Sequence, residues 1–386
     1  MVNTFAMTIF LIILGLAGKL GMAAEVGIIQ GATLALFYAF SANARSLILN
    51  QISKISAQSI MASRLVLLIP LAGVAYLLSL STAGIEQFAA IALILRRSVE
   101  WLVEVHLSDM ERSNNKGFAR NYLILQVILL AVVLIWLLSD LPYPLIGLLI
   151  WALTPLIMSA GYIWKAFIAI PDSLARVSSS ILPHLGSTAI IGITVYVFRL
   201  MILLLLGKET AGDLFTAFAI GGLTGGVFAN ALGPSIALHE QRSGKRHFPS
   251  MLRTALHLSL VLGVVIFASA ILAMPVLDWT GKSNFFWMAT GLSMVGGVIM
   301  VHAQRIRFRL LQHDAEHDVF GPDVMMNILL IATVPFVYYL LGKEAMGGLY
   351  LLSSLLAFVF YFSCKKGGDL EQQSQPVVKK SGCLSL

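Results

Sequence analysis

Charged residues cluster in an otherwise apolar segment, residues 84–107. Arg96, Arg97, Glu100 and Glu104 occur there within the run ILRRSVEWLVEV. If the segment is a helix, all four side chains project within one arc of about 100°. Arginine binds phosphate and carboxylate groups through a planar fork of donors. The spacing therefore predicts that Arg96 and Arg97 bind an anionic group such as a pyrophosphate or an acidic sugar.

Two other interpretations of this cluster stay open. An arginine at the centre of a membrane helix costs about 2.5–3.5 kcal/mol on insertion, and a carboxylate three or four residues away offsets part of that cost. Glu100 and Glu104 would then form an internal ladder with the arginines, or the helix would leave the membrane early at Arg96. Either glutamate could also couple to a proton or sodium gradient, although neighbouring arginines favour its ionised form.

A third intramembrane arginine, Arg199, occurs in the run VYVFRLMILLLLGKET. It lies seven residues, or about 10 Å of helix, from the end of its apolar segment. Such an arginine either lines a cavity or extends to the nearby membrane surface. Facing inward, it would place a second cation opposite residues 84–107, so that an anionic substrate could bind between two parts of the fold.

The elements that position these residues are membrane-spanning helices. The chain has 386 residues, of which 58% are hydrophobic and 12% charged, so a soluble enzyme is disfavoured. A span needs about 20 apolar residues. We predict an all-α integral membrane protein with twelve spans, at about 5–22, 26–48, 58–80, 84–107, 119–138, 142–164, 182–206, 212–237, 251–276, 284–304, 321–341 and 345–363. The first run lacks the charged start of a signal peptide.

The basic residues predict the orientation. Of 26 lysines and arginines, nineteen follow even-numbered spans or lie in the C-terminal tail, four lie in odd-numbered loops, and three lie inside spans. This bias predicts that both termini are cytoplasmic in a multi-pass membrane protein. Because the basic residues separate apolar runs, the net charge of +7 indicates membrane topology and no nucleic-acid partner.

The two sets of six spans are predicted to be a parallel repeat. The stretch GKLGMAAEVGIIQ from Gly18 aligns without a gap with GKETAGDLFTAFA from Gly207. We therefore divide the chain into an N-terminal six-helix bundle, 1–170, a C-terminal six-helix bundle, 171–364, and a cytoplasmic polar tail, 365–386. Transporters built from such repeats bind substrate between the halves and move one half against the other.

The whole layout resembles the polysaccharide-exporting (Wzx-like) branch of the multidrug/oligosaccharidyl-lipid/polysaccharide (MOP) flippase superfamily. The resemblance rests on the turn LLGKETAGDLFTAFAIGGLTGGVFANALGPSIA, the matching turn after the first span, and HAQRIRFRLLQHDAEHDVFGPD after the tenth. It implies a flippase of the bacterial inner membrane that carries polyprenyl-pyrophosphate-linked sugar repeat units across it. Its implied partners are this lipid-linked anionic glycan, membrane lipids and other polysaccharide assembly proteins.

Two other functions stay open. An ion-coupled drug or cation antiporter of the same superfamily would need an isolated acidic residue in the first or seventh span, where the sequence has none. A membrane glycan polymerase or ligase would need a sizeable outer loop, and the odd-numbered loops are short. The charged segment 313–323 is interpreted as a solvated loop, so no metal or cofactor is expected, and a coupling ion, H⁺ or Na⁺, is left open.

Overall fold

The computed structural model describes residues 2–41, 44–49, 56–80, 84–139, 141–228, 248–274, 281–312 and 316–374, and positions 232, 233, 236 and 240. Within this part of the chain every regular element is helical. The helices are α1 (Val2–Leu16), α2 (Leu20–Thr33), α3 (Ala44–Leu49), α4 (Ala57–Leu80), α5 (Gln87–Arg112), α6 (Lys116–Leu138), α7 (Pro144–Ile168), α8 (Ile170–Leu206), α9 (Lys208–Val227), α10 (Ser250–Ile271), α11 (Asn284–Gln312), α12 (Glu316–Leu341) and α13 (Leu349–Ser374).

These helices confirm the all-α membrane fold. Each of the twelve predicted spans corresponds to one long helix, and short α3 continues the second span. Nine helices in the described residues are long and apolar enough to cross a membrane. Helix α5 is outside those nine because its apolar segment also contains two arginines and two glutamates. Of the predicted polar tail, residues 375–386 lie outside the described part.

The predicted end of the first span is wrong by six residues. Helix α1 ends at Leu16 instead of residue 22, and α2 begins at Leu20 instead of residue 26. The reason is Gly18, whose φ of 78° ends the helix in a conformation that favours glycine. Gly207 has the same φ and separates α8 from α9. The aligned glycines of the two turns therefore share a positive φ, although Lys19 precedes its helix and Lys208 begins one.

The helices form two groups that meet along one interface. We call α1–α7 the N-half and α8–α13 the C-half; α1, α2 and α4 contact α8 and α9 across the boundary. We call the end with most of the arginines and lysines, predicted to be cytoplasmic, the basic end. The opposite end, with the α1–α2 and α8–α9 turns, is the far end.

Glycine allows the halves to approach closely near the far end. A Cβ atom on Gly212 of α9 would lie 2.2 Å from the Leu20 carbonyl oxygen of α2, and one on Gly27 would lie 2.3 Å from the Phe215 ring. Further along, a Cβ on Gly192 of α8 would lie 2.9 Å from the Leu34 carbonyl oxygen. The halves are therefore in backbone contact, and a side chain at Gly212 would need the helices to separate.

Candidate functional site

Arg96 lies inside the N-half and joins three helices. Its Nε donates to Glu100 Oε1 over 3.0 Å, its Nη1 donates to the Trp151 carbonyl oxygen over 2.9 Å, and its Nη2 donates to Gln126 Oε1. The guanidinium also lies over the Trp151 ring, 4.7 Å from its centroid. Arg96 is 0% exposed. In this conformation its donors are engaged by protein, so it holds α5, α6 and α7 together.

Arg97, the next residue, has a different environment. Its Nη1 donates to Glu100 Oε2 over 3.2 Å, so Glu100 binds both arginines. The Arg97 side chain keeps 13% of its surface exposed, whereas Glu100 keeps 1%. Its Nε is enclosed and has no hydrogen-bond partner among the described residues. Arg97 is therefore the more accessible member of the pair.

Glu104 pairs with a cation that the sequence reasoning missed. Arg64 of α4 is one of the nineteen basic residues assigned above to even-numbered loops and the tail. It is buried in the fold and donates to Glu104 Oε2 over 3.0 Å and to the Trp101 carbonyl oxygen. The Glu104 side chain is 38% exposed and lies eight residues before the end of α5. The phenol of Tyr38, on the π-helical turn that follows α2, interacts electrostatically with Glu104. Glu104 is therefore an accessible carboxylate, whereas its partner Arg64 is buried.

Arg199 of α8 reaches across the boundary between the halves. Its Nη1 donates to the Gly27 carbonyl oxygen over 2.6 Å and to Gln30 Oε1 over 3.0 Å, both on α2. Its guanidinium also lies 5.7 Å from the centroid of the Phe215 ring. No carboxylate of the described residues forms an ion pair with it. Arg199 thus points toward α2 rather than along α8 to the far end.

The C-half has its own buried ion pair near the basic end. Arg307 of α11 donates from Nη2 to Asp323 Oδ2 of α12 over 2.9 Å, and Tyr361 of α13 donates to Asp323 Oδ1. Asp323 is 0% exposed. Arg307 thus joins the last three helices of the C-half, as Arg96 joins α5, α6 and α7. Tyr38 of the N-half also interacts electrostatically with this pair.

The interpretation of segment 313–323 as a solvated loop is wrong at Asp323, which lies in α12 and is buried, where it accepts hydrogen bonds from Arg307 and Tyr361. The side chains of residues 313–319 lie outside the described part. In the part that is described, no three histidine, cysteine or acidic side chains come together as a metal site.

A second cluster at the basic end holds Glu240 between two arginines. Arg305 donates to Glu240 over 2.7 Å and Arg309 donates over 2.9 Å. Burial acts to raise the pKa of Glu240, but the hydrogen bonds from Arg305 and Arg309 outweigh burial, so the pKa lies below its ordinary value. Glu240 is therefore charged at neutral pH and holds α11 to the chain that follows α9.

The far end carries an ion pair between the halves. Lys208, the first residue of α9, donates to Glu25 of α2 and, over 2.8 Å, to the Gly84 carbonyl oxygen. Among the ion pairs resolved between described residues, those at the basic end join helices of one half: Arg64–Glu104 in the N-half, Arg307–Asp323 in the C-half. Together with the glycine contacts, this pattern describes a conformation closed at the far end.

Comparison with known proteins identifies the fold. No family model and no curated protein matches the chain. A solved structure described as the inward-facing conformation of a multidrug resistance MATE family transporter of the MOP superfamily matches with a TM-score of 0.65 and 13% identity, covering 97% of this chain and 96% of that one. A second, a crystal structure of MATE in the bent conformation, matches with a TM-score of 0.57 and 12% identity, covering 97% and 94%.

The chain therefore has the fold of the MATE transporters, over almost its full length and with two halves of six long helices. At these identities the likeness extends to the fold and leaves the substrate to the residues of the site.

Proposed function

We propose that this protein is a transporter of the bacterial inner membrane that moves lipid-linked, anionic oligosaccharide to the outer leaflet. The proposal specifies a polyprenyl-pyrophosphate-linked sugar repeat unit and both termini in the cytoplasm. The observation that carries it is Arg199, a cation inside the membrane, between the two halves, with no carboxylate of the described residues paired to it. A positive charge inside a membrane is costly unless an opposite charge pairs with it. A cationic group at this boundary therefore favours an anionic substrate, which would supply that opposite charge.

The proposed mechanism assigns different roles to the arginines. Arg97 of the N-half and Arg199 of the C-half contact the pyrophosphate, while Arg96 keeps α5 in position through Glu100 and Gln126. The headgroup enters from the basic end, and the polyprenyl tail remains in the lipid.

Release at the far end requires the two halves to separate there. The contacts that must break are the Lys208–Glu25 ion pair and the close approach of Gly212 to Leu20. This is alternating access with the closed gate at the far end.

The second candidate is an ion-coupled drug or cation antiporter. Both similar structures are MATE proteins, and one is described as a multidrug resistance transporter. Within this chain the feature that favours the antiporter is Glu104. Its carboxylate side chain is 38% exposed and could bind a cation or a proton. In that case H⁺ or Na⁺ would be the coupling ion. In the first proposal no cofactor is required.

A flipping assay separates the two candidates. Purified protein is reconstituted into liposomes with a fluorescent, short-chain polyprenyl-pyrophosphate disaccharide, and dithionite quenching reports the label exposed outside. The wild type should flip this lipid, and Arg97→Gln and Arg199→Gln should slow flipping by at least about tenfold, the loss expected when one hydrogen bond to a charged group is removed. Arg112→Gln, whose side chain is 44% exposed at the end of α5, is the matched control and should not.

The same liposomes test the antiporter. An imposed proton or sodium gradient should not drive efflux of ethidium if the first proposal is correct. Gradient-driven ethidium efflux without lipid flipping would contradict the proposal and support the second candidate, and Glu104→Gln should then abolish that efflux.

A further inference from the structure

The guanidinium of Arg199 is held by one nitrogen and presents the other two. Both of its hydrogen bonds to described residues leave from Nη1, to Gly27 and Gln30. Nε and Nη2 have no partner among the described residues, and neither is fully enclosed, in contrast to the enclosed nitrogens of Arg64. Nε and Nη2 form one edge of the planar group, with two parallel N–H donors. This edge matches two oxygens of a phosphate or carboxylate.

Gln30 fixes the direction of that edge. Its Oε1 accepts from Arg199, and its Nε2 donates to Thr8 Oγ1 of α1 over 2.9 Å. Because the two ends of the amide have different partners, the carboxamide oxygen is set toward Arg199. The residue is 7% exposed on α2. Gln30 therefore connects α1, α2 and α8 through one oriented hydrogen-bond chain.

The neutrality of Gln30 distinguishes this arginine from the others inside the fold. Arg96 and Arg97 pair with Glu100, Arg64 pairs with Glu104, and Arg307 pairs with Asp323. Each of those guanidinium groups contacts a carboxylate, and Arg96 and Arg97 share Glu100. At Arg199 an amide occupies the corresponding place, so the guanidinium is oriented and its charge remains available.

We propose that Gln30 is a positioning and selectivity residue, which orients Arg199 so that its Nε–Nη2 edge binds a phosphate oxyanion. This inference rests on the proposed function, because it assigns the pyrophosphate end of the substrate to this edge. It also predicts that one substitution can change the preference from an anionic to a cationic ligand. A glutamate at position 30 has the same size, accepts the same bond from Arg199 and cancels its charge.

Binding of a small probe tests the inference without transport. Farnesyl pyrophosphate and tetraphenylphosphonium are titrated by calorimetry into purified full-length wild type and Gln30→Glu in detergent. We expect wild type to prefer farnesyl pyrophosphate. In Gln30→Glu its affinity should fall at least about tenfold, as expected for loss of one bond to a charged group, while tetraphenylphosphonium affinity is unchanged or higher. The double variant with Arg199→Gln should be no weaker than either single variant, because both changes remove the same interaction.

Gln87→Glu is the control for the added negative charge. Gln87 is the first residue of α5, is exposed and forms no hydrogen bond with an arginine of the described residues. Gln87→Glu should keep the wild-type preference. If Gln30→Glu does not fold, judged by thermal unfolding, Gln30→Met keeps the size and removes both hydrogen bonds. Gln30→Met should weaken farnesyl pyrophosphate binding and leave tetraphenylphosphonium binding unchanged.

The outcomes separate this inference from the proposed function. Farnesyl pyrophosphate affinity within twofold of wild type in the Gln30 variants would overturn the inference while flipping could still occur. A Gln30-dependent preference together with no lipid flipping would support the oxyanion edge and contradict the flippase. A wild type that binds tetraphenylphosphonium and no farnesyl pyrophosphate would overturn both.

Discussion

Replacing Gly212 by alanine should open the far end of the protein. The new Cβ would lie 2.2 Å from the Leu20 carbonyl oxygen, about 1.2 Å short of the 3.4 Å at which ordinary contacts begin. The contacted atom belongs to the backbone of α2, so no side-chain rotation relieves the overlap. Only separation of α9 from α2 does, and that is the movement that the proposed mechanism requires for release.

The magnitude follows from the overlap. Overpacking by one methyl group costs about 1–3 kcal/mol. Alanine also favours a helix over glycine by about 1 kcal/mol, but α9 remains helical in both conformations, so this gain cancels. The ratio of closed to open molecules should therefore fall by a factor of about 5 to 150, at about 1.4 kcal/mol per tenfold change.

Electron–electron double resonance measures that ratio. Cys364 and Cys383 are replaced by serine, and spin labels are attached in place of Leu141 and Lys343, exposed residues at the far ends of the N-half and the C-half. Gly212→Ala should shift the distance distribution toward longer separations. Gly73→Ala is the matched control, because Gly73 is inside α4 and a Cβ there meets nothing within 4 Å.

Two results would refute this reasoning. An unchanged distribution in Gly212→Ala would show that the far-end contact does not limit opening. An equal shift in Gly73→Ala would show that helix propensity, and not the contact with Leu20, governs the equilibrium.

Three further predictions concern stability, measured by thermal unfolding in detergent. Arg96→Met should destabilise the protein by on the order of 3 kcal/mol, because a buried ionic network loses its central cation; a change under about 1 kcal/mol would contradict its role in joining α5, α6 and α7. Asp323→Asn should cost a similar amount, since it leaves the Arg307 charge buried, whereas Asp323→Leu combined with Arg307→Met should cost less than Asp323→Asn alone. Since the pKa of Glu240 lies below its ordinary value in the fold, its stabilisation is present above the ordinary glutamate pKa of about 4.3 and is lost as pH falls through the folded pKa. Wild type should therefore lose stability relative to Glu240→Gln below about pH 4.3, and parallel pH profiles would exclude this contribution.

Most of the fold could be predicted from the sequence because the membrane simplifies the problem. A hydrophobic run of about 20 residues forms a helix in lipid since its backbone must satisfy its own hydrogen bonds. The twelve predicted spans therefore correspond to twelve helices. The first span was predicted too long because residues 17–22 were included in the apolar run. Gly18 has a positive φ and ends the helix before them.

The candidate site was harder to predict because its contacts join residues far apart in sequence. Helical spacing correctly relates Arg96 to Glu100, four residues apart. Spacing along α5 cannot show that Arg96 is enclosed while Arg97 is partly exposed, since that depends on α6 and α7. The Glu104–Arg64 pair and the Arg199–Gln30 contact span 40 and 169 residues, and no local pattern signals either. An amide such as Gln30 also lacks the charge that marks a candidate in an apolar sequence.

The central claim, an anionic lipid-linked substrate bound at Arg199, is tested most directly by native mass spectrometry of gently purified protein. We predict a co-purifying mass equal to a polyprenyl-pyrophosphate glycan in the wild type and its loss in Arg199→Gln, with Arg112→Gln retaining it. Wild-type protein that carries only ordinary phospholipid, or a glycan lipid that persists in Arg199→Gln, would contradict the claim.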